Sequence, residues 1–178
     1  MKCFEPGSLT FDHEWEEAFL REKSLEGWAM TSYMPPGIYN FEPCEKGKYF
    51  YRIAFIRCMN DTDFLIWTKN LREEGIELVR RMKNWAYFRS TKDFSLYEGK
   101  QRTKVFRSIR NCFAAMGLCV SASGILLSMF RRKKWASNFL INVLTGLLSG
   151  LYIHGAVTYD QKLEAVEHND MMNRGMMA

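Results

Sequence analysis

Hydrophobic and polar positions divide the 178 residues into two regimes, and the boundary falls near residue 104. Before it, apolar residues recur with short, changing periods, which predicts mixed helix and strand. Residues 12–26 have helical spacing, with Trp15, Phe19, Leu20 and Leu25 as core positions. Asp12 is the expected N-cap and Gly27 the stop. Residues 28–34 alternate as a strand that must end at Pro35-Pro36-Gly37. Residues 38–42 and 49–56 predict a hairpin around the loop 43–47. A second helix is expected over 62–74, capped by Asp61 and stopped by Gly75, then strands 76–81 and 85–89 turning at Lys83-Asn84.

Displacing the chain by 48 residues lays FLREKSLEGWAM, from Phe19, over WTKNLREEGIEL, from Trp67, so that Gly27 meets Gly75 and Glu26 meets Glu74. Each unit then closes on an aromatic-aromatic-Arg strand, Phe50-Tyr51-Arg52 and Tyr87-Phe88-Arg89. Identity is low, and two unrelated helix–glycine–strand units would also look alike. As a duplication, 12–56 and 61–90 are αββ units within a soluble α+β domain, 1–104. The expected fold is a ferredoxin-like plait with a four- or five-stranded antiparallel sheet and both helices on one face. Its other face would be free to bind or to dimerise. The candidate binding surface is Tyr39, Phe41, Tyr51, Arg52, Trp85, Tyr87 and Arg89. Strand alternation puts Tyr49, Tyr51 and Ile53 on one face and Phe50 and Arg52 on the other. The same aromatics would equally build the core of a small sheet.

Beyond residue 104 the pattern predicts a transmembrane hairpin over 105–160. Residues 112–130 are 19 residues without a charge, about 28 Å as a helix and close to the hydrocarbon thickness. Residues 135–159 form a second uncharged run of 25, with Trp135, Tyr152 and Tyr159 placed as interfacial anchors. A soluble helix of this length normally keeps a polar stripe. The alternative is a buried helical hairpin in a soluble domain. Gly146 and Gly150 stand in GxxxG spacing, and Gly117 and Ser121 offer a matching small face on the first span. The neighbouring helix of the same hairpin is the first partner expected for the glycines, and a second copy of the chain the next. Residues 161–178 read as a flexible tail.

Charge sharpens this picture. Basic residues outnumber acidic ones 25 to 20, for a net of +5. Residues 1–104 are nearly balanced, whereas Arg107, Arg110, Arg131, Arg132, Lys133 and Lys134 flank the first span without an acidic neighbour. Basic residues beside apolar runs mark membrane flanks rather than a nucleic-acid face, so the expected partner is a lipid bilayer and no nucleic acid. Five bases precede the first span (Lys100, Arg102, Lys104, Arg107, Arg110) and four follow it, so the positive-inside rule nearly cancels. The first 17 residues have no apolar core of a signal peptide, which favours a cytoplasmic domain in a multi-pass cell-membrane protein.

Catalytic constellations are missing from the pattern. Cys3, Cys44, Cys58, Cys112 and Cys119 have no CxxC spacing, and His13, His154 and His168 form no metal grouping, so neither metal nor cofactor is expected. His154, inside the second run, reads as a neutral packing or headgroup residue. The sequence has no P-loop, GxGxxG or GxSxG.

The stretches FLREKSLEGWAM, GIYNFEPCEKGKYFYRIAF and LREEGIELVRRMKNWAYFR resemble a bacterial family, domain of unknown function 2812, over about residues 11–104. The resemblance rests on a helix ending in Gly-Trp, a Tyr-x-Phe-Glu hairpin, a Tyr-Arg strand and Gly-x-Glu followed by Trp-x-Tyr-Phe-Arg. Phe19 stands where the family usually has Trp. The family's layout includes the membrane hairpin, and its genes often lie beside PadR-type regulators. The resemblance therefore implies a membrane-anchored sensory or regulatory protein. The leading expectation is a non-enzymatic sensing or interaction module, with a protein partner or a second copy binding at the sheet face or hairpin. The alternatives are a membrane-proximal hydrolase or transferase using carboxylates such as Glu42 and Glu77, and a subunit of a larger membrane complex.

Overall fold

The computed structural model describes residues 2–4, 12–34, 38–57, 59–97, 100–130 and 135–175. The chain forms two compact units, residues 1–97 and 98–178. The first runs β1 (Lys2–Phe4), α1 (His13–Glu26), β2 (Trp28–Met34), β3 (Ile38–Pro43), β4 (Phe50–Phe55), α2 (Asp61–Glu73), β5 (Glu77–Met82) and β6 (Trp85–Ser90).

The α+β class, the antiparallel pairing and the duplication are as expected, but the repeating unit is βαββ, not αββ. β4 opens the second unit instead of closing the first. It pairs with β6 and not with β3, so the hairpin expected between 38–42 and 49–56 does not form. The strands divide into two three-stranded sheets, β1-β3-β2 and β4-β6-β5, which have the same internal order. Each element of the second unit begins 47 to 49 residues after its counterpart. A register shift lies between Met30 and Ser32 in β2 and recurs between Leu78 and Arg80 in β5, again 48 residues on. Phe50-Tyr51-Arg52 and Tyr87-Phe88-Arg89 are thus partners across one ladder rather than repeat equivalents, with Tyr51 opposite Arg89.

Helix ends follow the same period. Asp12 Oδ1 accepts from the N–H groups of Glu14 and Trp15, and Asn60 Oδ1 accepts from that of Asp63 at 2.7 Å. Asn60, not Asp61, is therefore the second N-cap. Gly27 (φ 94°) and Gly75 (φ 82°) end the two helices in the left-handed region.

Two apolar clusters lie on opposite faces of the second sheet. Tyr51, Ile53 and Tyr87 pack with Phe19 and Leu20 of α1 and with Met30, Tyr39 and Phe41 of the first sheet. Ala54, Ala86 and Phe88 point the other way, against Phe64 and Leu71 of α2. The two helices do not share a face, and the sheet face expected to be open is covered by α1 and the first sheet.

The second unit is a helical hairpin, α3 (Lys100–Phe130) and α4 (Trp135–Gly175). α3 begins a turn before residue 105, and α4 continues as helix through most of the tail expected to be flexible. Arg131, Arg132, Lys133 and Lys134, and the turn Pro35-Pro36-Gly37, lie outside the described residues.

Gly75 has nothing within 4 Å of an added Cβ, whereas a Cβ on Gly27 would stand 3.2 Å from the Cys44 carbonyl oxygen. Gly75→Ala is expected to cost about 1 kcal/mol through its positive φ alone. Gly27→Ala is expected to cost more, and thermal melts of both variants followed by tryptophan fluorescence will rank them.

Candidate functional site

On α1, Glu16, Leu20 and Ser24 fall at i, i+4 and i+8, on one stripe, and all three are buried. Glu16 is only 8% exposed and is the buried charged side chain among the described residues. The hydroxyls of Tyr39, on β3, and Tyr87, on β6, both donate to Glu16 Oε1, the latter at 2.8 Å. The other carboxylate oxygen has no hydrogen-bond partner among the described residues. The half-buried Tyr33 on β2 packs its ring 4.9 Å from that of Tyr39 and 5.3 Å from that of Tyr87. Phe19 stands 5.4 Å from Tyr39, and Phe41 completes the cluster.

The electrostatics follow from this burial. Desolvation raises the Glu16 carboxyl above the usual carboxylate range, and it outweighs the two tyrosine hydrogen bonds that pull the other way. Burial, then the charge on Glu16, pushes the Tyr87 phenol far above its ordinary value. Tyr51 is also raised by burial, and its hydroxyl accepts from the Met30 N–H at 2.9 Å.

The nearby cations are engaged elsewhere. Arg21 donates to the carbonyls of Gly47 (2.8 Å) and Tyr49 (3.0 Å) and covers the Phe50 ring at 3.8 Å. Arg52 binds Asp93 at 2.7 Å and the Phe94 carbonyl at 2.9 Å. Arg89 binds Glu77 at 2.9 Å and lies over the Tyr49 ring at 4.5 Å. Glu17, the next residue on α1, turns away from Glu16 and accepts the Ile53 N–H at 2.7 Å.

The expected aromatic binding surface is thus largely interior. Tyr39, Phe41, Tyr51 and Tyr87 are buried, because α1 and the first sheet cover the face they occupy. Trp85 is half-buried with its ring 4.9 Å from that of Phe55, and Arg52 and Arg89 are ion-paired. Of the seven, Tyr39 and Tyr87 converge on Glu16, which the sequence pattern did not single out. Its signal was an acidic residue on the apolar stripe of a helix. Glu42 and Glu77 lie on strands of different sheets. A separate groove of about 480 Å³ lies between α2 and β5, lined by Leu65, Lys69, Arg72 and Leu78 among others. Among the described residues, no three His, Cys, Asp or Glu side chains gather to hold a metal.

In the hairpin, the seam is built from small and aromatic residues. Ser121 and Ser149 hydroxyls meet at 2.6 Å, and the Ser149 hydroxyl also donates to the Gly117 carbonyl at 3.2 Å. A Cβ on Gly124 would stand 2.6 Å from Thr145 Oγ1, and one on Gly155 would touch the Phe113 ring. Phe106 and Phe113 pack on Tyr159 at 5.8 and 5.9 Å. Arg110 pairs with Asp160 at 2.7 Å and Arg107 with Glu167 at 3.1 Å. Gly117 and Ser121 both lie in this seam. Gly146 and Gly150 do not meet the neighbouring helix: nothing lies within 4 Å of a Cβ on either.

Residues 12–118 match the family described as protein of unknown function (DUF2812). The chain belongs to the DUF2812 family. No curated protein and no solved structure matches it significantly. The DUF2812 match begins at Asp12, the N-cap of α1, and includes Glu16, Tyr33, Tyr39 and Tyr87 as well as Gly117 of the hairpin seam. α4 of this DUF2812 protein lies outside the matched range.

Because the Glu16 pKa is raised on folding, its stabilising contribution is complete below the ordinary carboxylate pKa of 4.5 and is lost as pH rises through the folded value. Glu16→Gln keeps an acceptor for both tyrosines and cannot ionise. Its melting temperature relative to the native chain is expected to climb between pH 4 and pH 8, and parallel melts across that range will check the sign.

In a background with the native cysteines replaced by serine, Ser121→Cys with Ser149→Cys is expected to form a disulfide under mild oxidation. Adding Gly124→Leu is expected to lower the yield several-fold, because its side chain collides with Thr145. Gel mobility with and without reductant measures both.

Proposed function

We propose that this DUF2812 protein is membrane-anchored through α3 and α4, which cross the bilayer twice, and that residues 1–97 form a non-enzymatic sensing module on the cytoplasmic side serving a regulatory role. The carrying observation is the exposure of the two apolar segments. Only 22% and 11% of their most apolar windows are buried. Leu118, Ile125, Leu140 and Leu147 are between 61% and 73% exposed. A core hairpin of a soluble protein would turn these residues inward; here the seam takes the small residues and the outer surface takes the leucines. Such a surface is stable against acyl chains and strongly unfavourable in water, at roughly 25 cal/mol per Å² of apolar area.

The five bases ahead of the first apolar run and the four in the turn nearly cancel under the positive-inside rule, so the reporters below decide the orientation. The buried carboxylate held by two tyrosines among aromatic rings supports the sensing reading.

A second reading, a subunit of a larger membrane complex, draws on the outward glycines: Gly146 and Gly150 leave a flat strip on α4 against which another membrane helix can pack.

The anchoring reading is tested by alkaline carbonate extraction and by reporters fused after Ala178. The protein is expected to stay in the membrane pellet, with a fluorescent reporter active and an export-dependent phosphatase inactive. Release into the supernatant overturns the anchor, and the reverse reporter pattern overturns the orientation. Mild-detergent purification as a lone monomer counts against the complex.

A further inference from the structure

Among the described residues, the Glu16 carboxylate has no counter-ion. It is nine-tenths buried, both of its hydrogen bonds fall on one oxygen, and neither donor carries a positive charge. The groups facing it are the phenols of Tyr39 from β3 and Tyr87 from β6, with Tyr33 from β2 stacked over that pair. Arg21, Arg52 and Arg89 are each committed to carbonyls, carboxylates or ring faces elsewhere. A carboxylate in such surroundings is neutralised by a proton or by a cation from outside.

The surroundings favour one kind of cation. A hard divalent ion needs about six oxygens, and this site offers one carboxylate and neutral phenols. Tyr33, Tyr39, Tyr87, Phe19 and Phe41 cluster here, and the electron-rich faces of such rings attract a weakly hydrated organic cation. Tyr33 is the outermost of these rings and is only half-buried, whereas Phe19, Tyr39, Phe41 and Tyr87 are buried.

We propose that Glu16 anchors a binding site for a small lipophilic organic cation, a quaternary ammonium or protonated amine bearing an apolar group, with Tyr33 as the ring that admits and then covers it. The carboxylate supplies the counter-charge, Tyr39 and Tyr87 hold it in position, and the aromatic cluster selects for a cation without a tight hydration shell. This names the ligand class for the sensing reading and rests on it only for its purpose; binding itself does not require the bilayer.

The test is a calorimetric titration of the full chain in a non-ionic detergent with benzyltrimethylammonium, against its neutral isostere neopentylbenzene. Saturable binding of the cation is expected, with the isostere at least about tenfold weaker. Glu16→Gln is expected to reduce cation affinity by about tenfold or more while its near-ultraviolet circular dichroism stays native, and Tyr33→Ala to weaken it several-fold. If either variant fails to fold, the native chain still decides the matter: its affinity is expected to fall as pH drops and Glu16 takes up a proton. Equal affinity for the isostere, unchanged affinity in a folded Glu16→Gln, a pH-independent affinity, or protonation without saturable cation binding each overturns the proposal. Binding that succeeds while a regulatory output is unaffected by the cation removes the sensing reading and leaves the site standing.

Discussion

The first unit is organised around one oxygen atom. Glu16 Oε1, on α1, receives a hydrogen bond from Tyr39 of the first sheet and another from Tyr87 of the second, so three layers meet at a single acceptor. Hydrogen bonds to a charged group are worth about 1.5–3 kcal/mol each, more than most of the neutral contacts around them. Further cross-layer bonds repeat the same connections: Met30 N–H to Tyr51 Oη, and Ile53 N–H to Glu17. The last also closes part of the outer edge of β4, whose unpaired amides would otherwise be open to another strand. Apolar burial supplies most of the stability, while the polar contacts set how the layers register.

This arrangement explains which parts of the fold were legible in the chain. Helix limits were, because Asp12, Gly27 and Gly75 act through local backbone geometry. So was the 48-residue period, which the structure extends to the caps and to the register shifts at residues 30–32 and 78–80. Strand partners were not. β1 has three residues and no alternation to read, so each unit was seen without its first strand. β4 was then joined to β3, its neighbour in sequence, although its ladder is with β6. Alternation identified which aromatics share a face, but the cover over that face comes from α1, and no strand pattern carries that information. Glu16 escaped for a related reason: an acidic residue on a helix reads as solvent-facing unless its phase is compared with Leu20 and Ser24.

The hairpin divides in the same way. Its apolar length and the charges near its ends were visible, since both are properties of composition. The phase of the seam was not, because it depends on how two helices rotate about their axes. GxxxG spacing drew attention to Gly146 and Gly150, yet the contact runs through Gly117, Gly124, Gly155 and the serine pair. Arg110 with Asp160 and Arg107 with Glu167 explain why the helix outlasts the apolar run. Asp160 and Glu167 are two of the four acidic residues beyond residue 159, and they pair with bases of α3.

A protein selected for stability alone has little use for this carboxylate. Glutamine would accept the same two hydroxyls without a charge to desolvate, and leucine with phenylalanine at 39 and 87 would remove the polar groups altogether. Glu16 instead places an ionisable group where ionisation works against folding at neutral pH, and two tyrosines hold it there. Local conflict with folding of this kind is characteristic of positions whose work is binding or response. The rest of the core shows no comparable conflict: Phe64, Leu71, Ala86 and Phe88 against α2 are apolar throughout. The two faces of the second sheet therefore carry different tasks. One packs apolar residues alone against α2, and the other buries its aromatic cluster around the Glu16 carboxyl.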